Sequence, residues 1–188
     1  VDENHIVKNL DSLLDALEMK VSIPDDLVTL KGMVADSLAH TSPWENIHDK
    51  LIVDATSPVD GDPIEHVEMV PVSKSLVISA SAIDGVVQAR MLRPSIMVIT
   101  TEIEGGPQPE ESMEDANEQM ANLQRERIAS IRNAIWGLEA SKGLRWLFIT
   151  DSDADLESED WRRRLLWQLF CRFDVGRDLH FDESQTRV

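Results

Sequence analysis

The chain has 188 residues, 42% of them apolar, enough for one cored domain or one domain with a helical extension. Its 35 acidic and 18 basic residues leave a net charge of −17. That field repels phosphate backbones and anionic membrane surfaces, which argues against nucleic acid and lipid as partners and leaves solubility as the plain reading of the acidity. A lone cysteine, Cys171, cannot form an internal disulfide, so a reducing, cytoplasmic compartment is expected, with Cys171 a structural thiol in an apolar helix. No run approaches the roughly 18 apolar residues of a membrane span, and no signal-peptide pattern opens the sequence. The first residue is Val1, so a longer protein with an upstream domain is anticipated.

Residues 1–43 read as a helical extension, an antiparallel hairpin. Ile6, Leu10, Leu13, Leu14, Leu17 and Val21 recur at helical spacing. Pro24 then suits a first helical position, Asp25 and Asp26 favour its positive end, and Leu27, Leu30, Val34 and Leu38 carry a second stripe up to Pro43.

Residues 44–188 read as an α/β domain. Short β runs are expected over 51–54, 66–70, 76–79, 86–92 and 96–101, punctuated by Asp60-Gly61-Asp62-Pro63, Pro71, Asp84-Gly85 and Arg93-Pro94. The uninterrupted apolar run after Ser95 predicts a strand buried on both faces. An acidic, solvated segment spans 102–118. A long helix is expected over 112–142, with Ser112 as its cap and Lys142-Gly143 as its end. A strand over 145–150 and a last helix capped by Ser158 follow. This order predicts a mixed sheet flanked by helices.

Asp151, Asp153 and Asp155 lie where that strand ends, a place α/β proteins often use for ligand groups. A calcium loop of the helix–loop–helix kind needs Gly at its sixth position and Glu at its twelfth, and here Leu156 and Arg162 stand there. A phosphotransfer site of the haloacid-dehalogenase kind needs Thr or Val where Asp155 stands. The aspartates therefore read as loop candidates that chiefly solvate a turn and bond to nearby backbone N–H groups. Glu102, Glu104, Glu110 and Glu111 read as ordinary exposed acids. His5, His40, His48, His66 and His180 share no metal-ligand spacing. Neither a Gly-rich phosphate loop nor a Gly-x-Ser-x-Gly elbow is present. The last helix is apolar around much of its circumference. Its Trp161, Trp167 and Phe170 fit either the core or a subunit interface.

Taken together, the apolar strand ending in Asp151-Ser-Asp153-Ala-Asp155, the Trp161 helix and the later Arg177-Asp178-Leu179 resemble the carboxy-terminal domain of the UbiD-like decarboxylases. In that family a buried strand ends in an Asp-x-Asp-x-Asp loop, followed by a helix and an Arg-Asp strand. The resemblance implies an assembly and support domain that forms homo-oligomers. The catalytic portion, with its prenylated FMN and divalent metal, would lie upstream, so no catalytic, cofactor or metal residue is expected within this segment. The reaction implied for the whole protein is removal or addition of CO₂ on an aromatic or unsaturated acid. A stand-alone binding or oligomerisation module is the alternative, since no catalytic set can be assembled from these residues.

Overall fold

The computed structural model describes residues 8–34, 47–55, 75–102, 113–171, 173, 175–182 and 188. The first helix, α1 (Leu10–Met19), starts on a reciprocal cap. The side chain of Asn9 accepts the Ser12 N–H at 2.9 Å, and the Ser12 hydroxyl accepts the Asn9 N–H at 3.0 Å. Leu10, Leu14, Leu17 and the following Val21 face the interior, as their spacing predicts.

The expected second arm of the hairpin is instead a strand. β1 (Leu27–Val34) pairs antiparallel with β2 (Ile47–Val53). Asp26 accepts the Ser22 N–H at 2.7 Å, and the Leu27 N–H donates to the Pro24 carbonyl at 2.9 Å. The Pro-Asp-Asp unit thus closes a turn and opens no helix. Gly32 sits at φ +64° in the irregular stretch between Leu30 and Met33, a conformation that glycine takes freely and a helix interior does not use.

The expected strand over 76–79 is a helix, α2 (Ser75–Ser81). Leu76 and Ala80, one helical turn apart, are both fully buried, while Ile78 between them is 75% exposed. The expected run over 66–70 lies outside the described residues.

Next come β3 (Val86–Arg93), β4 (Ile96–Thr101), α3 (Met113–Trp136), β5 (Trp146–Asp151), α4 (Trp161–Cys171) and α5 (Val175–Asp178). The three strands form one mixed sheet in the order β3-β4-β5: β3 and β4 are an antiparallel hairpin, whereas β5 runs parallel to β4 after α3. The α/β class with a mixed sheet flanked by helices is therefore as expected. Every residue of the central β4 is buried. Ile96 and Val98 join Leu10, Leu14, Trp146, Trp161 and Leu165 on the side of α1 and α4. Met97 and Ile99 join Leu76, Ala80, Ile131 and Ile135 on the side of α2 and α3. Strand alternation thus feeds two cores, one on each face, and each fully buried aliphatic side chain contributes about 2 kcal/mol relative to exposure.

Helix α3 stops at Trp136, short of Lys142. The Gly137 N–H makes its last helical bond, to Asn133 O at 2.9 Å, and the Ser141 hydroxyl donates to the carbonyls of Trp136 (3.2 Å) and Leu138 (2.8 Å). That hydroxyl replaces the partners the terminal carbonyls would otherwise lack. Among the described positions of the expected stripe, Ile131 and Ile135 are buried, whereas Leu123 is 61% exposed. Ser112, the expected cap, lies outside the described residues. Arg177 and Asp178 fall in the short helix α5, so the strand expected to open there does not form.

Candidate functional site

The aspartate loop occupies the carboxyl end of β5, beside that of β4, because the two strands are parallel and in register from Ile96↔Trp146 to Thr101↔Asp151. Asp151 ends the strand. Its Oδ1 accepts the Asp153 N–H at 3.0 Å and the Gln168 Nε2–H of α4 at 2.8 Å. Asp155 turns the chain at φ +31°, and its Oδ1 accepts the Glu157 N–H at 3.3 Å and the Gln88 Nε2–H at 3.4 Å. The neighbouring Leu156 is held at both backbone groups: its N–H donates to Gln88 Oε1 at 2.7 Å, and its carbonyl accepts from Arg90 at 2.8 Å. Arg164 donates to the Asp153 carbonyl at 3.1 Å. Asp151 and Asp155 therefore organise the turn and tie it to β3 and α4. Among the described residues no group of three His, Cys, Asp or Glu side chains could hold a metal ion.

The last helix begins differently from the expected Ser158 cap. The Ser158 hydroxyl donates to the Asp160 carboxylate at 3.0 Å, and Asp160 also receives Arg163 at 2.8 Å and Arg164 at 2.9 Å. These donors, Arg163 foremost, push the Asp160 carboxyl down to about 2.

The three aromatic candidates on α4 are not one patch. Trp161 is 6% exposed, and the guanidinium carbons of Arg90 and Arg162 stand 4.7 and 4.6 Å from its ring centroid. It is enclosed by its own chain. Trp167 points outward, 59% exposed. The side chain of Phe170 lies outside the described residues, as does that of Cys171.

Three features go beyond the sequence reading. Glu18, 8% exposed, accepts the Ser95 N–H at 2.8 Å and the Ser95 hydroxyl at 3.0 Å. Arg145 reaches the same helix end, donating to the Glu18 carbonyl at 3.0 Å and to the Val21 carbonyl, and its burial pulls its pKa down. Arg93 holds α1 to the sheet through Asp15 at 2.6 Å and Asp11 at 3.4 Å. Glu18 was detectable in principle, since a charge four residues after Leu14 sits on the apolar stripe of α1. The hydroxyls of Thr100 and Thr150, register partners on β4 and β5, are buried without a hydrogen-bond partner among the described residues, as is the indole N–H of Trp146.

A concavity of about 520 Å³ runs beside β3, lined by Ser81, Val87, Gln88, Ala89, Arg90, Leu156 and Glu157. Among the described residues its lining contains neither histidine nor cysteine, and Glu157 is the sole carboxylate there. Gln88 and Arg90 in that lining are already committed to the aspartate loop. No helix among the described residues is long and apolar enough to cross a membrane. No family model matches the chain, and neither a curated protein nor a solved structure matches it.

Proposed function

We propose that this domain is an assembly or binding module and not a catalyst, and that in a longer protein it would support a UbiD-like decarboxylase. The carrying observation is the split within α4. Trp161 and Leu165 enter the core, whereas Trp167 presents 59% of its surface to solvent. An outward tryptophan on a helix anchored in the core is the type of residue that dominates contacts between subunits. The aspartate loop supports the same reading, because Asp151 and Asp155 are spent on backbone and amide partners.

The test is solution mass by light scattering, with and without Trp167→Glu. The native chain should run as an oligomer, and the variant as a smaller species with an unchanged melting midpoint. A native monomer, or a variant that fails to fold, refutes the interface. The link to a carboxy-lyase rests on the resemblance of residues 144–181 alone. It implies that this chain does not retain prenylated FMN, so tight binding of that flavin here would overturn the division of labour.

A further inference from the structure

We propose that the outer edge of β5 is an acceptor for an extended segment, filled here by Val188 of the same chain and able to take Val188 from a second copy. Among the described strands β5 is an edge of the mixed sheet. An edge strand offers unpaired N–H and C=O groups to any extended chain beside it. Val188 meets that offer with both of its backbone groups. Its N–H donates to the Arg145 carbonyl at 2.8 Å, and its carbonyl accepts the Leu147 N–H at 2.6 Å. Bonds from one residue to the two neighbours of Trp146 are the pattern of a parallel bridge.

The Val188 side chain adds selectivity. It is half-buried and packs against the cluster that holds Ile96, Val98, Trp146 and Leu165. The acceptor therefore has two parts: a main-chain slot from Arg145 to Leu147, blind to sequence, and a lateral apolar seat that fits an aliphatic side chain and disfavours a charged one. Strand addition by extended segments works through this combination. Neither part distinguishes its own chain from another copy, so cis occupancy is favoured only by the high local concentration of the tethered segment. None of these bonds or packing contacts involves Trp167, so the acceptor stands whether or not Trp167 forms an interface.

The experiment follows amide hydrogen exchange in the full-length chain. Val188→Asp should speed exchange at Leu147 at least tenfold while leaving Ile99, in the centre of the sheet, unchanged. Adding a synthetic peptide with the sequence of residues 182–188 should then restore Leu147 protection saturably. The same peptide with Asp in place of its valine should not. Unchanged exchange at Leu147 in the variant overturns the proposal, and so does a folded variant that the native peptide fails to protect. Should Val188→Asp also expose Ile99, Val188→Ala is read by the same two criteria.

Discussion

Replacing Glu18 by alanine tests how α1 is held to the sheet. The carboxylate is 8% exposed and Ser95 is 1% exposed, so neither end of their contact can turn to water once the other is gone. Two donors, the N–H and the hydroxyl of Ser95, converge on one oxygen at 2.8 and 3.0 Å. A buried donor left unpaired costs about 1–3 kcal/mol, and bonds to a charged acceptor lie at the upper end of that range. The hydroxyl can rotate to another acceptor whereas the N–H cannot, so the expected loss is about 3 kcal/mol, most of it from the N–H. Arg145 should stay in place, because its bonds go to main-chain carbonyls of Glu18 and Val21. Glu18→Gln keeps an acceptor oxygen and should lose about 1 kcal/mol. Ser95→Ala removes one of the two bonds and should also lose about 1 kcal/mol. Combined with Glu18→Ala it should cost less than the sum, since both substitutions remove the hydroxyl bond. Urea unfolding followed by tryptophan fluorescence reads all four chains, with the buried Trp146 and Trp161 as reporters. A loss below about 1 kcal/mol for Glu18→Ala, or strict additivity in the double variant, would refute the reasoning.

Further predictions concern the loop and the helix that follows it. Asp151→Ala removes an acceptor used by Asp153 and Gln168, so it should lower stability by about 1 kcal/mol in the same assay, as loss of a cap does. Magnesium or calcium should leave the melting temperature of the native chain unmoved, and a saturable rise would make the loop a cation site. Asp160 should titrate at about 2 by carboxyl NMR, mainly because Arg163 bonds its charged form, with Ser158 and Arg164 assisting. Folding lowers this pKa, so the contribution of Asp160 is complete above roughly pH 4 and disappears as the pH falls towards 2. Arg163→Ala should raise the midpoint, and an unmoved titration would contradict the assigned cause.

The central layer of the fold was legible because its signals are local and redundant. Six consecutive buried residues in β4, the Asp84-Gly85 turn before β3 and the apolar run of β5 each declare a strand without reference to the others. The amino-terminal region was only half legible. Leu10, Leu14 and Leu17 define α1 by period, but Leu27 and Leu30 are also three apart and form a strand. What separates the two cases is non-local. β1 finds β2 some twenty residues away, with Leu27 opposite Val53 and Val28 opposite Ile52, and the Asp26 turn directs it there. Helical propensity is a weak preference that such pairing overrides. The segment around Leu76 failed in the opposite sense. Its apolar run is as good a strand as a helix, and only the joint burial of Leu76 and Ala80 against β4 decides between them.

Legibility of the site follows the same division. That Asp151 and Asp155 would serve the turn was readable, since a short carboxylate next to a reversing chain finds backbone N–H groups within two residues. That Gln88 and Arg90 of β3 would clasp Leu156 was not, because those partners lie on a strand more than sixty residues earlier. The clasp also explains why the two α4 tryptophans part company. Arg90, fixed at the Leu156 carbonyl, lays its guanidinium against Trp161, and Arg162 covers the ring as well while lying 3.8 Å from Asp11 of α1. The ring of Trp161 is thereby used up inside the chain. Trp167, six positions along, has rotated well away from that face on a helix of 3.6 residues per turn, and it is 59% exposed. A helix that read as apolar around much of its circumference is thus divided by its neighbours into a docked face and an exposed one. Trp167 on the exposed face is the position at which an assembly contact should be sought.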